Sequence, residues 1–491
     1  MIESRAHIEP AAGVTALLLT VLSAAGCAPS VRYARPADPL QTSYVQASSA
    51  APARPAGAAG STVQHVSLGQ GPPDAWWTLL GSDEIDRVVA LALQNNQTIA
   101  AAQAHLAAAR ERIRTARGAL YPEVDAAAGV QRTRFGAPVL GPLAKDFPIF
   151  SAYAAGPVVS YDFDLFGGTR SRVDQAAAAA QYESAELGAV GLSVSGNVVI
   201  EVLEIAALRA QIHVAQEIVA DDEHMLSLIR AAREAGAVSG MDVLSAQSQT
   251  DHDRTFLPPL YQQLSAAQDA LAALSGVAAA DWTPIDVELT TLRLADDLPV
   301  ALPSELVHRR PDIGAAEAQL HAASAAVGIA TANLYPHLAV SASLGEEGLL
   351  GGGPSETAWS VLGGLTGPIF HGGALTAERR AAQDEYQAAF AAYRQTVLNA
   401  FSQVAASLQA LGNDAESLLT QQRALESASA SLALTTQAYK AGNAGYVQVL
   451  DAQRLHQQAQ LGEVQAYRQR YVDAVKLLLA AGGRVDLRSN R

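Results

Sequence analysis

Cysteine is almost absent from this chain: Cys27 is the single one among 491 residues. One thiol cannot form an internal disulfide. Aromatic residues contribute 5% and charged residues 16%, leaving few bulky side chains for a thick core. Basic residues are the minority, 33 against 48 acidic ones, for a net charge of −15. That balance argues against nucleic acid as a partner. It suits cation passage through an acidic lumen, and equally suits plain solvated surfaces. Proline is missing from Val158 to Leu257 and from Ile369 to the end, which leaves room for uninterrupted helices. Ala374 to Leu411 alone would run roughly 57 Å at 1.5 Å per residue. With Glu378, Arg379, Arg380, Asp384, Glu385 and Arg394 inside it, that stretch is too polar to cross a membrane as a helix.

Catalytic patterns are missing as well. Gly191-Leu192-Ser193-Val194-Ser195 lacks the last glycine of a nucleophile elbow, and no glycine-rich loop carries the Lys-Ser/Thr of a phosphate cradle. No His or Cys pair has metal-site spacing, since His213 and His224 lie about three helical turns apart. Arg309-Arg310-Pro311-Asp312 reads as ordinary helix initiation, with proline just inside the start and an acid in the first turn. No enzymatic activity and no cofactor is expected.

What is present is stated twice. Leu120-Tyr121-Pro122 opens an alternating stretch, and Leu334-Tyr335-Pro336 opens another at an offset of 214. Phe166-Gly167-Gly168 is echoed by Phe370-His371-Gly372-Gly373, and Ala235-Gly236 with Ala246-Gln247 is echoed by Ala441-Gly442 with Ala452-Gln453. Such a duplication speaks first about architecture. Val124, Ala126, Ala128 and Val130 alternate with Glu123, Asp125 and Gln131, while Leu338, Val340, Ala342 and Leu344 alternate with His337, Ser341 and Ser343. The return strands behave alike: Val159, Tyr161, Phe163 and Leu165 alternate with Ser160, Asp162 and Asp164, and Trp359, Val361 and Leu365 with Ser360 and Thr366. This is the period of strands with one apolar and one polar face. At about ten residues they match a tilted membrane strand. Two soluble hairpins on a core would show the same alternation. If the strands span a bilayer, four per chain cannot close without open edges, so the barrel must be shared between chains.

The N-terminus suggests a compartment. An apolar run from Ala11 to Gly26 ends at Cys27. It is too short for a membrane span and reads as a signal segment. Acylation of Cys27, with the mature chain starting there, is the lipoprotein reading; a stray thiol in a disposable leader is the other. Ala-, Pro- and Ser-rich residues up to about 70 then read as an extended tether. The expected organisation is a signal over 1–26, a tether over 27–70 and a first repeat over 71–275 (hairpin 122–166, long helices over 168–235). An equatorial segment at 276–303, a second repeat over 304–482 (hairpin 336–370, long helices over 374–480) and a tail at 483–491 complete it.

Several longer motifs carry a resemblance. Asp74-Ala75-Trp76-Trp77, Ser160-Tyr161-Asp162-Phe163-Asp164-Leu165-Phe166-Gly167-Gly168, Leu302-Pro303-Ser304-Glu305-Leu306-Val307-His308-Arg309-Arg310-Pro311-Asp312 and Tyr446-Val447-Gln448-Val449-Leu450-Asp451-Ala452-Gln453-Arg454 are similar to segments of the outer-membrane factor family. These are TolC-like channels, and the likeness is greatest to NodT/OprM-type lipoprotein subunits of resistance-nodulation-division efflux systems. The resemblance implies a mixed α and β membrane protein: a homotrimer with a shared 12-stranded outer-membrane β-barrel, a long periplasmic α-helical barrel and an internal structural repeat. It also implies a periplasmic adaptor and an inner-membrane pump as partners, outer-membrane lipid around the barrel, and anchoring through Cys27. The function implied is the exit duct of a tripartite pump for drugs or other small toxic compounds. A type I protein secretion duct and a non-conducting trimeric stalk or adhesin are the alternatives.

The repeat offset maps Ala207 onto Asn413, so Ala206-Ala207-Leu208-Arg209 and Leu411-Gly412-Asn413-Asp414 are expected as matching helix turns at the periplasmic tip. Leu408, Leu411, Asn413, Asp414 and Arg209 are thereby the candidate gate. An apolar ring from Leu408 and an acidic ring from Asp414 stand against helix packing and N-capping as the plainer roles.

Overall fold

The structure is a computed structural model that describes residues 33–44, 65–134 and 149–487. Cys27, the signal segment and the Gly136–Pro148 loop lie outside the described residues. In chain order the elements are β1 (His65–Leu68), α1 (Asp83–Asn95), α2 (Gln97–Gly118), β2 (Glu123–Thr133), β3 (Phe150–Phe163), α3 (Gly168–Glu234), α4 (Gly240–Arg254) and α5 (Leu257–Leu274). There follow β4 (Asp297–Val300), α6 (Pro303–Arg309), α7 (Pro311–Ala332), β5 (His337–Leu349), β6 (Glu356–Thr366), α8 (Ala374–Lys440) and α9 (Tyr446–Ala480). The chain divides into two compact units, one holding residues 106–183 and 316–393, the other residues 37–105, 184–315 and 394–491.

The first unit contains a four-stranded antiparallel sheet in the order β2-β3-β5-β6. Each hairpin forms as its alternation predicts, and β3 pairs with β5 to join the two. Gly156 and Gly345 allow the close approach of those middle strands, because a Cβ on either would run into the opposite backbone. Only the outer edges of β2 and β6 lack a strand partner among the described residues.

The second unit is mainly helical, with a small parallel pair of β1 and β4. Local chemistry sets its boundaries. Ser82 accepts a hydrogen bond from the Ile85 N–H, and Asp83, Glu84 and Asp86 occupy the first turn of α1. Buried Asn96 separates α1 from α2. Its Oδ1 accepts from the N–H groups of Thr98 and Ile99 while its Nδ2 donates to the Leu274 carbonyl. Helix α3 includes one stretch long and apolar enough to cross a membrane, yet 56% of that window is buried inside the protein, so its apolar character is accounted for by packing.

The structure corrects the expected helix turns. Ala206–Arg209 and Leu411–Asp414 both lie inside continuous helices of 67 residues, α3 and α8. Ala206, Ala207 and Leu208 are core residues, and Leu411 and Leu418 are buried one helical face apart from exposed Gly412. A glycine inside a helix costs only about 1 kcal/mol, too little to break one held by such packing. The real turns follow Glu234 and Lys440. Gly236 and Gly442 each adopt φ +76 there, the left-handed conformation that ends a helix. Ser239 then starts α4 with a reciprocal Ser239–Asp242 capping box, and the Gly445 N–H donates to the Gln448 side chain at the start of α9.

Candidate functional site

The register assigns every strand residue to a face. Val124 opposes Val159, Val159 opposes Ala342, and Ala342 opposes Val361, giving one apolar row across all four strands. The adjacent row runs Glu123, Ser160, Ser341, Leu362, and one step along it the Ser343 and Ser360 hydroxyls meet at 2.8 Å. Val124, Val130, Leu344, Trp359, Val361 and Leu365 are exposed in the single chain. A face this apolar, backed by a face of small and polar residues, suits lipid on one side and water on the other.

The duplicated motifs meet at the end of the sheet. Tyr335, from the second Leu-Tyr-Pro, stacks on Phe166, from the first Phe-Gly-Gly, with ring centroids 4.6 Å apart and an interplanar angle of 14°. Among the described residues, their counterparts Tyr121 and Phe370 form no such stack. Tyr121 is 69% and Phe370 86% exposed.

In the second unit, the helix turns sit beside a compact apolar cluster of Leu226, Ile229, Ala246, Tyr446 and Val449, bordered by Val238, Tyr439 and Leu450. Met241, Leu244 and Val447, at the starts of α4 and α9, face outward from it.

The expected gate residues are distributed differently. Arg209 pairs with Asp286, and Leu411 is buried in the helical core. Asp414 is half-buried against Asp473 of α9, and burial followed by that neighbouring carboxylate raises its pKa to about 6, with Lys476 and Arg470 opposing. Asp473 in turn holds Lys476 at 2.9 Å and accepts from Gln469. Leu408 is half-buried and Asn413 exposed. Asp414 thus links α8 to Asp473 of α9 in mid-helix, whereas Arg209 lies on α3. Among the described residues no group of three or more His, Cys, Asp or Glu side chains is arranged to hold a metal.

Comparison with known proteins agrees with this geometry. The profile of the outer membrane efflux protein family matches residues 88–277 and 302–483. The chain belongs to that family. It is 32% identical to the pyoverdine export outer membrane protein OpmQ of Pseudomonas aeruginosa over 83% of this chain and 87% of OpmQ. It is 31% identical to the outer membrane protein OprJ of the same organism, over 97% of both. The solved outer-membrane channel OprN superposes with a TM-score of 0.81 at 24% identity, covering 92% of this chain and 99% of OprN. This outer membrane efflux protein therefore has the fold of the TolC-like channels, works as an exit duct in the outer membrane and is not an enzyme.

Sequence reasoning missed a further cluster in the efflux protein: Asp222, Asp253 and Gln457. Gln453 belongs to the duplicated Ala-Gln, but nothing local marks the two aspartates, which stand 31 residues apart on different helices.

Proposed function

We propose that three copies of this efflux protein close a shared twelve-stranded barrel, and that the duct carries drugs or other small toxic compounds. The observation carrying the reading is the sheet whose two outer edges, β2 and β6, are open. Open edges are not tolerated in lipid, and four strands are too few for a membrane barrel. Small-molecule cargo is supported by likeness to OpmQ, whose name assigns it pyoverdine export. In this reading Cys27 carries the lipid anchor. The exposed Met241, Leu244 and Val447 beside the helix turns form the surface that a periplasmic adaptor covers, since clustered apolar side chains mark interaction sites. The adaptor links the duct to an inner-membrane resistance-nodulation-division pump, which supplies the energy.

Control of opening is assigned to the α8–α9 junction. There Asp414 of α8 faces Asp473 of α9, with Leu408 half-buried, Leu411 buried and Asn413 at the surface of α8, while Arg209 of α3 pairs with Asp286. Replacing Asp414 by alanine removes the carboxyl that α8 sets against Asp473 and so alters that contact. Single-channel recording in planar bilayers tests both claims. Wild-type protein gives ion conductance with low open probability, and Asp414→Ala raises it. Complete absence of conductance at every voltage would identify a stalk, and an unchanged open probability in an intact Asp414→Ala complex would place control elsewhere.

A further inference from the structure

The inner faces of three helices in the second unit change character one turn away from the apolar cluster. On α3, Asp222 lies one turn before Leu226; on α4, Thr250 and Asp253 follow Ala246 at helical spacing; on α9, Gln453 and Gln457 follow Val449 in four-residue steps. Asp222 is 4% and Asp253 3% exposed, and their carboxyl groups lie within hydrogen-bonding reach of each other. Three amides surround them. Gln453 Nε2 donates to Asp222 Oδ1, while Gln457 and Gln249 donate to Asp253 Oδ2 at 3.2 and 2.8 Å.

Among the described residues no positively charged group is paired with Asp222 or Asp253. The groups acting on Asp222 are Asp253 from α4, Asp221 from its own helix and Gln453 from α9, and Asp222 in turn faces the Tyr446 phenol of α9. His456 of α9 faces Asp221, and burial lowers its pKa toward the neutral form. Arg254 is engaged at the surface by Glu223 and Asp251. Asp222 Oδ2 receives no hydrogen bond from any donor present. Two ionised carboxylates only accept, so their contact becomes a hydrogen bond only when a proton sits between them. Like charges in a desolvated site cannot both persist.

We propose that Asp222 and Asp253 share one proton and form a latch that joins α3, α4 and α9 when protonated and releases them when the proton leaves. A cavity of about 330 Å³ lined by Asp221, Gln453, His456 and Gln457 lies beside the pair and gives water a route to it. Burial first, then Asp253, raises Asp222 to about 8 in the closed arrangement, against about 3.9 for an ordinary aspartate. The closed state therefore holds an extra proton. Its contribution is complete below about pH 4 and is lost progressively as the pH climbs to about 8. This holds for the helical unit whatever the duct carries.

Hydrogen exchange of the full chain in detergent, corrected for intrinsic rate, reads the latch directly in peptides covering 218–226, 249–257 and 449–460. The opening constant should rise about tenfold per pH unit between about pH 6 and 8 and level off above. In Asp222→Asn, where an amide donates to Asp253 without a titrating proton, the same peptides should show no slope. Asp253→Asn is the mirror variant should the first fold poorly. Infrared spectra of aspartate-labelled protein should show a protonated carboxyl at pH 7 that disappears by about pH 9 and is absent from both variants. A flat wild-type profile, a slope that survives in both variants, or loosening at pH 7 on adding a chelator, which would identify a bound cation instead of a proton, would each overturn the proposal.

Discussion

At the scale of single residues, the side chains that fix this fold do so by accepting and donating across long sequence separations. Asn96 caps α2 through its oxygen and ties the end of α5 through its nitrogen, with a separation of 178 residues to Leu274. Replacing it by alanine removes the cap and leaves a buried carbonyl without its donor, at a cost of about 1–3 kcal/mol. Thermal unfolding of Asn96→Ala in detergent should show a lowered midpoint with the same final helix content. An unchanged midpoint would mean that water satisfies both groups. Such a role is not visible in the sequence, because the partner is set by tertiary packing. The Tyr335–Phe166 stack lies at the other extreme. Both residues stand in duplicated motifs that are conspicuous in the sequence, although only the register of β3 and β5 shows that a motif from one repeat meets one from the other.

At the scale of elements, alternation was sufficient to place all four long strands, since a period of two has no other common cause. Helix ends were harder. Gly412-Asn413 resembles a turn, yet α8 runs through it; Ala441-Gly442, which looks no different locally, ends the helix with a left-handed glycine. Buried leucines on one face of α8 decide between them. The candidate gate rests on that misplaced turn, and its residues fall on two long helices: Arg209 on α3 against Asp286, and Leu408, Leu411, Asn413 and Asp414 on α8. Two substitutions separate the cases. Gly412→Ala, in an exposed helix interior, should stabilise by about 0.5–1 kcal/mol. Gly442→Ala, forced into a left-handed conformation with nothing to contact, should destabilise by about 1–2 kcal/mol. Thermal midpoints followed by circular dichroism measure both, and the opposite order of signs would restore the turn to Gly412.

At the scale of the whole molecule, the duplicated motifs supply a register for the proposed joining of copies. Residues of β5 correspond to those of β2 at an offset of 214, and residues of β3 to those of β6 at 204, from Tyr335 against Tyr121 and Phe370 against Phe166. Applying those offsets to the observed β3–β5 pairing, in which Val159 opposes Ala342, brings β6 of one copy beside β2 of the next with Gly363 opposite Ala128 and Val361 opposite Val130. The same register sets exposed Phe370 against exposed Tyr121, repeating the aromatic stack already formed within the chain. It also keeps Val361 and Val130, 66% and 71% exposed in the isolated chain, on the apolar face. Opposed residues of antiparallel strands have Cα atoms about 4.5–5.5 Å apart, inside the span of a disulfide. Val130→Cys combined with Val361→Cys should therefore oxidise to a covalent trimer on a non-reducing gel, while either substitution alone should not. Val130→Cys with Trp359→Cys keeps the face but shifts the register by two residues and should remain monomeric on the gel. Cross-linking by the shifted pair alone would refute the register and leave the trimer intact; failure of both pairs in a conducting complex would mean that the edges are closed by something other than β2 and β6 of neighbouring copies.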